Sequence, residues 1–422
     1  MNRKIAPKIQ AIRKIDFPLV SSNHLDNGIP LHILPSDNND IIKLELVFKA
    51  GRSRELQNLT SKATSSLLKE GTIKFNSELL SEKIDFYGAS ISCSSGMDTS
   101  SIILYCIKKH FGFCLDLLRE ILFNPTFPVE ELEKYKSRSA ERLHQELSKN
   151  AVLAYRKITE IIYGNEHCYG YNTYPASYKN IQIKELIHHY QHAYTSTNCQ
   201  IYLSGCADAK IIQSINKSFG HHFGNKPLSH QYVNPIENTV QKIELAGNKL
   251  QNSIKIGRRL FNRQHPDYYP FFMLNTVLGG YFGARLMTSI REKKGYTYNI
   301  YSVIDSMEFD GYFYISTDVG SNYYAKTLVA IKEEMELLQN KLIGSKELDM
   351  AKNYILGNFL NMLDGPLKSS KVLKMLKENG LSEVDFNHMI EVISTITSKD
   401  LMEMAQKHLN FNDLHQVSVG DF

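Results

Sequence analysis

The first clear hydrophobic pattern, at residues 41–50 (IIKLELVFKA), largely alternates apolar and polar side chains. A period of two residues predicts a β-strand with one buried and one solvated face. Helical spacing follows at 59–68, and strands are predicted at 89–95 and 100–107 around Gly-Met-Asp at 96–98, a turn typical of a hairpin. The other elements predicted in this part are helices at 113–123 and 129–163 and a strand at 198–205.

The same order of elements returns in the second half of the chain. Strands are predicted at 241–246 and 253–259, helices at 267–278 and 283–292, a hairpin at 297–305 and 311–318, helices at 323–340, 345–363 and from 367 onward, and a last strand at 415–419. Between the halves, residues 223–237 collect polar residues, Gly and Pro, as a linker does. Hairpins with helices gathered between them indicate an α+β fold with one antiparallel or mixed sheet in each half. We expect a first domain at 1–225, a linker at 226–240 and a second domain at 241–422.

Composition and charge exclude several classes of protein. The net charge is +5, and the Lys and Arg residues are scattered, which gives no basis for binding nucleic acid. No stretch approaches the roughly 20 apolar residues that span a membrane, and the basic N-terminal segment lacks the apolar core of a secretory signal. The six dispersed cysteines favour reduced, buried thiols. We expect a soluble, cytoplasmic protein.

The most specific motif lies at residues 267–298. Asp-Tyr-Tyr is followed by the glycine-rich turn LGGYFGARL at 278–286 and by IREKKGYTY at 290–298. In order and spacing these segments resemble the C-terminal half of peptidases of the insulinase (pitrilysin, inverzincin) family, and shorter similarities run through most of the chain. The resemblance implies two similar α+β domains, each a mostly antiparallel sheet covered by helices on one face, that face each other across a chamber.

Active members of that family bind zinc through H-x-x-E-H on a helix just before a Gly-Thr pair, with a further Glu from the next long helix. Counting back from the Gly-Thr pair at 71–72 places Lys62 and Ser66 at the His positions, Ser65 at the Glu position and Arg142 at the third-ligand position. Protonated Lys and Arg cannot ligate zinc and repel it. Ser cannot serve as general base at neutral pH. The resemblance therefore predicts a degenerate site without metal.

A second set of family groups is retained. The Arg and Tyr that reach toward the zinc from the C-terminal half correspond to Arg291 and Tyr298. Gly279, Gly280 and Gly283 resemble a shortened form of the substrate-binding, glycine-rich loop in the non-catalytic subunit of the mitochondrial processing peptidase. Each of these residues also has an ordinary structural explanation. Arg291 could be a surface arginine at a charged helix end, and Tyr298 an aromatic residue of a strand. The glycines are those expected at a helix C-cap followed by a turn. On a separate polar helix, His188, His189 and His192 are expected to form a solvated face.

Some bacterial members of the family divide the work between a zinc-bearing chain and a chain with the Arg–Tyr pair. This sequence fits the second kind. The leading hypothesis is a subunit without a cofactor of its own that supplies peptide binding and oxyanion stabilisation to a zinc-bearing homologous subunit, with peptides or unfolded polypeptides as substrates. The alternative is a structural or peptide-binding homologue without a catalytic role, like the core subunits of the bc1 complex. An active peptidase is disfavoured, because neither H-x-x-E-H nor H-E-x-x-H occurs in the chain.

Overall fold

A computed structural model of the chain describes residues 12, 15–36, 40–227, 232–235, 239–248 and 250–422. The first sheet contains β1 (Ser21–His24), β2 (Pro30–Pro35), β3 (Ile41–Phe48), β4 (Ser90–Ser95), β5 (Ser100–Ile107) and β6 (Cys199–Gly205). The helices of this half are α1 (Thr60–Leu67), α2 (Ser77–Phe86), α3 (Phe111–Phe123), α4 (Val129–Glu146), α5 (Asn150–Tyr163), α6 (Ile183–Ala193) and α7 (Ala209–Phe219). The strand order is β1-β2-β6-β3-β5-β4, with β2 and β6 parallel and the other neighbours antiparallel.

The second sheet contains β7 (Lys242–Ala246), β8 (Asn252–Leu260), β9 (Thr297–Ser306), β10 (Gly311–Val319) and β11 (His415–Gly420). Its helices are α8 (Tyr268–Asn275), α9 (Tyr324–Asn340), α10 (Ser345–Met362), α11 (Pro366–Glu378), α12 (Glu383–Thr395) and α13 (Ser398–His408). Two π-helical segments, Thr276–Gly280 and Met287–Lys293, lie between α8 and β9. The strand order is β7-β11-β8-β10-β9, with β7 and β11 parallel.

The two halves share one topology. The order β2-β6-β3-β5-β4 in the first sheet matches β7-β11-β8-β10-β9 in the second, with the parallel pair at the same place. The two-domain α+β fold predicted from the sequence is therefore confirmed. The predicted boundaries at 225 and 241 stay a prediction, since the proposed linker lies partly outside the described residues. Of its described part, Tyr232 donates a hydrogen bond from its hydroxyl to Asp310 in the second half (2.8 Å).

Each sheet packs one face against helices of its own half and the other face against a helix from the opposite half. Helix α5 covers β8 and β11, where Ala154 and Ile158 pack with Val417 and Val419. In return, α11 covers β2 and β6 of the first sheet, where Leu373 joins a buried cluster with Leu34, Val47 and Tyr202. The halves are thus joined by an exchange of helices rather than by a single strip of surface.

The exchange accounts for a break in the long helix predicted at 129–163. Helix α4 ends at Glu146 and α5 begins at Asn150, so a single continuous helix is the wrong prediction. The helix breaks at residues 147–149, where the chain leaves the helices of the first half and passes to the second sheet. Hydrophobic spacing on both sides of the break is helical, and the pattern alone therefore does not reveal a change of direction.

Strand β3 is buried on both faces, in contrast to the half-buried strand predicted from its alternating pattern. Its polar positions, Lys43 and Glu45, are only 1% and 2% exposed because α11 lies over them. Glu45 pairs with Lys43 (Oε2–Nζ 2.5 Å) and with Lys374 of α11 (Oε1–Nζ 2.8 Å). Lys43 also donates to Ser370 of α11 (3.0 Å). The polar face is therefore an ionic contact between the halves and not a solvated surface.

A second set of contacts joins the halves through Glu308, in the turn between β9 and β10. Its carboxylate binds Lys49 (2.6 Å) and Arg54 (2.8 Å) of the first half, and its backbone N–H donates to Asp98 (2.8 Å). Between the halves lies a cavity of about 510 Å³, lined by residues of both. Within the described ranges no helix is long and apolar enough to cross a membrane. The cytoplasmic location stays a prediction.

Candidate functional site

Arg291 and Tyr298 line the same surface cavity on the second half. Arg291 lies in the π-helical segment Met287–Lys293, and Tyr298 is the second residue of β9, the edge strand of the sheet. Gly295 joins the two with a φ of +65°, a left-handed conformation that favours glycine. The cavity measures about 550 Å³, and every residue that lines it lies between Gln251 and Tyr323. The structure thus brings the predicted pair together, with no contribution from the first half.

Both polar groups of the pair are available to an external acceptor. Tyr298 is 88% exposed, and its hydroxyl has no hydrogen-bond partner among the residues the structure describes. In the same described set Arg291 forms no ion pair with a carboxylate, and its guanidinium lies over the ring of Phe282, 4.6 Å from the ring centroid. A ring against one face leaves the N–H edge of the guanidinium free to donate. The cavity therefore presents a phenol and a fixed cation to whatever enters it.

The glycine-rich turn contains two kinds of glycine. Gly279 is buried, and a Cβ at this position would lie 2.6 Å from Ser302 Oγ and 2.7 Å from its backbone N. Gly280 and Gly283 are exposed. A Cβ on Gly283 would lie 2.8 Å from the ring of Tyr281. Close packing thus accounts for Gly279 and Gly283, and substrate contact by the three glycines stays a prediction.

Alanine substitutions should separate packing from other roles in this turn. We expect Gly279→Ala to lower the free energy of unfolding by about 1–3 kcal/mol, because the methyl group overpacks against Ser302. Gly280→Ala should lower it less, by about 1 kcal/mol or less, because its Cβ would lie 3.3 Å from the nearest atom, the carbonyl oxygen of Asn275, and a shift of a few tenths of an ångström relieves that contact. Denaturant unfolding of both variants measures the difference. Equal unfolding midpoints for the two variants would show that Ser302 gives way and that Gly279 is not required by packing.

The four positions predicted to correspond to the zinc site do not fit a metal. Lys62 on α1 and Arg142 on α4 are exposed cations, while Ser65 is buried and Ser66 half-buried. No cluster of three or more His, Cys, Asp or Glu side chains that could hold a metal ion is present in the part of the chain that the structure describes. Neither a zinc ligand nor a carboxylate base is available at these four positions.

Aromatic packing lies behind these positions. Tyr135 of α4 is buried, and its ring lies edge-on to that of Tyr178, with the centroids 6.3 Å apart. Burial raises the pKa of the Tyr135 phenol, which therefore stays protonated at neutral pH. Neutral aromatic side chains thus fill the interior here, and Lys62 and Arg142 lie at the surface.

One histidine of α6 departs from the solvated face predicted for this helix. His189 is buried, and its Nε2 lies 3.1 Å from the carbonyl oxygen of Ala50, to which it donates. Burial lowers the pKa of this imidazole to about 4, so it is neutral at physiological pH. His188 is exposed, and its ring lies tilted against that of His192, with centroids 4.3 Å apart. The prediction is wrong for His189, which is a structural hydrogen-bond donor.

Fold and site together define the class of protein. The repeated α+β domain, the Arg–Tyr cavity on the second half and the missing zinc ligands on the first describe a homologue of zinc peptidases without their zinc motif. Two family models match the chain: "Insulinase (Peptidase family M16)" over residues 33–169 and "Peptidase M16 inactive domain" over residues 180–355. The chain belongs to peptidase family M16, the insulinase family.

Curated relatives and solved structures agree with this assignment. The chain is 24% identical over 300 residues to "Uncharacterized zinc protease YmxG" of Bacillus subtilis, covering 70% of this chain and 72% of the relative. It is 23% identical over 387 residues to "Non-peptidase homolog YmxG" of Helicobacter pylori, covering 88% and 87%. A crystal structure described as a peptidase M16 inactive domain from Pseudomonas fluorescens superposes with a TM-score of 0.87 at 22% identity, covering 96% of this chain and 98% of that one. The structural likeness supports the fold.

Proposed function

We propose that this chain is the non-catalytic subunit of a heterodimeric zinc peptidase. In this proposal a zinc-bearing homologue supplies the metal and the general base, and this chain supplies peptide binding and oxyanion stabilisation. The observation that carries the proposal is that a half-buried Arg291 and an exposed Tyr298 line one cavity, with donors free of partners among the described residues. Polar groups that serve only stability are normally paired or solvated singly, whereas here two donors converge on one concave site.

The chemistry of the pair suits the tetrahedral intermediate of peptide hydrolysis. A phenol can donate to the oxyanion that forms on the scissile carbonyl, a contact that strengthens as negative charge develops. A guanidinium holds its charge at every relevant pH and can donate through two N–H groups to the substrate backbone. Tyr298 therefore acts chiefly in the transition state, while Arg291 acts in substrate capture as well.

The proposal assigns bond cleavage to a second chain, because the predicted zinc-site positions of this one carry neither metal ligands nor a general base. The cavity is lined by second-half residues alone and lies open at the surface, so a partner can close over it. The first half offers Lys62, Ser65, Ser66 and Arg142 where ligands and base would be needed. Zinc is accordingly assigned to the partner, and the substrate is a peptide or an unfolded polypeptide segment.

Reconstitution tests the proposal directly. The chain and a zinc-bearing homologue from the same genome are assayed separately and mixed, with an unstructured peptide as substrate. We expect each chain alone to be inactive or nearly so, the mixture to hydrolyse the peptide, and a chelator to abolish that activity. A zinc chain that is equally active without this subunit would refute the shared site. That outcome would leave the alternative, a structural or peptide-binding homologue without a catalytic role.

A further inference from the structure

The glycine-rich turn that carries Phe282 is held from the outside by helix α10. The ring of Tyr281 stacks on that of Tyr354, with centroids 4.8 Å apart and an interplanar angle of 27°. The Tyr281 ring also lies against Gly283, where a Cβ would fall 2.8 Å from a ring carbon. The ring is therefore enclosed between α10 and its own turn, and its position sets the path of the backbone on both sides of Phe282.

A second contact from the same helix holds the other end of the turn. Arg285 forms a two-pronged ion pair with Glu347, with Nε–Oε1 at 2.7 Å and Nη2–Oε2 at 3.0 Å. Glu347 and Tyr354 are seven residues apart, which is two helical turns, so they lie on one face of α10. Paired, planar hydrogen bonds of this kind restrict orientation as well as distance. Helix α10 thus grips the turn at residues 281 and 285.

Phe282 lies in sequence between these two anchors and contacts Arg291 of the candidate site. It is 63% exposed and packs under the guanidinium of Arg291. An exposed aromatic ring on a short turn is free to adopt several rotamers unless the turn is held. The two contacts from α10 restrict this turn on both sides of Phe282.

We infer that Tyr354 and Glu347 are positioning residues, which hold Phe282 against Arg291 and so fix the plane in which the guanidinium meets substrate. The consequence for turnover rests on the proposed function, whereas the conformational part concerns this chain alone. Tyr354 and Glu347 together form what we call the clamp. Because Arg291 contacts substrate in the ground state, loss of the clamp should weaken substrate binding and leave the chemical step largely intact. The expected signature is a rise in KM with little change in kcat.

The conformational part can be measured on the isolated chain. The sequence contains no tryptophan, so Phe282→Trp introduces a single reporter that still stacks on Arg291. We expect Tyr354→Leu in this background to lower the fluorescence anisotropy of the reporter, since the ring gains motion on the nanosecond timescale. Tyr354→Phe, which keeps the stacking ring, and Leu360→Ala, an exposed position elsewhere on α10, should leave the anisotropy unchanged. An anisotropy unaffected by Tyr354→Leu overturns the inference.

The functional part is measured in the reconstituted pair with the natural Phe282. Tyr354→Leu and Glu347→Gln should each raise KM, with an effect on the order of 10-fold, and Tyr354→Phe should restore the natural value. If Tyr354→Leu lowers the anisotropy but leaves KM unchanged, the clamp exists without serving substrate capture, and the inference fails in that part. If the unaltered pair has no activity, the proposed function fails, while the fluorescence result still decides whether α10 holds the turn.

Discussion

Replacing Tyr298 with Phe should lower kcat of the reconstituted pair by about 10²–10³-fold, the usual effect of losing one oxyanion donor. The side chain is 88% exposed and its hydroxyl is free of partners among the described residues, so folding and association should barely change. KM should change little, because the contact forms mainly in the transition state. Arg291→Ala should instead raise KM and lower kcat together. Steady-state hydrolysis with an unaltered zinc subunit measures both variants.

Tyr323→Phe is the matched control for Tyr298→Phe. Tyr323 lines the same cavity, is 40% exposed, and stacks on Tyr296 with centroids 5.0 Å apart. It loses the same single oxygen, and we expect activity close to that of the unaltered subunit. Complex formation by each variant is checked by size-exclusion chromatography. Full activity in both Tyr298→Phe and Arg291→Ala would mean that the pair takes no part in hydrolysis.

The second large effect is expected at the ionic contact between the halves. Glu45→Gln removes the carboxylate that pairs with Lys43 and Lys374 and leaves Lys43, which is 1% exposed, as a buried cation without an ion-pair partner in the described structure. Removing one partner of a buried ion pair costs about 3–5 kcal/mol, because the other charge is left buried and unpaired. Replacing both partners with apolar residues changes stability much less. We expect the midpoint of denaturant unfolding to fall accordingly. Glu130→Gln, at an exposed pair with Lys134, is the control and should have an effect of about 0.5 kcal/mol or less.

This contact should also make stability depend on pH. Burial by itself would raise the pKa of Glu45, but Lys374 and Lys43 outweigh it, and the pKa lies below its usual value. A lowered carboxyl pKa contributes stability above the unfolded pKa of about 4.3, and that contribution is lost as pH falls through the folded value. Burial raises the pKa of nearby Glu378, so its contribution to stability changes in the opposite direction as the pH falls. On acidification the unaltered chain should therefore lose more stability than Glu45→Gln, and equal losses would contradict the assignment.

Sequence patterns predicted the local elements better than their surroundings. The hairpin strands, the helices on either side of them and the repeated order in both halves follow from spacing within short windows. Strand β3 shows the limit, because Lys43 and Glu45 indicate a solvated face when only neighbours along the chain are considered. The helix that buries them, α11, lies more than 300 residues later in the chain. The sequence near residue 43 therefore does not predict this contact. Strands β1 and β2 and helices α2 and α7 were absent from the prediction.

Some residues of the candidate site were predicted from the sequence and others were not, for the same reason. Arg291 and Tyr298 belong to one contiguous motif, so their proximity in the structure follows from seven residues of chain. Glu347 and Tyr354 were not predicted, although their spacing places them on one helix face. The role of that helix face can be recognised only when the turn at 281–285 is known to pack against it. A long-range contact between a turn and a helix leaves no local signal in a single sequence.

The exchange of helices has a consequence for the order in which the chain is made. Helix α5 leaves the first half early in the sequence and is needed by β8 and β11, while α11 supplies the cover for β2 and β6. In a nascent chain that ends before residue 366, one face of the first sheet therefore has no helix over it. Glu45 and Lys43, which are buried in the complete chain, are then exposed to water. Contacts this distant in sequence also form slowly, because a long loop must close first. Neither half can complete its folding before synthesis is nearly finished, and a chain truncated before α11 should behave as a client for chaperones and proteases.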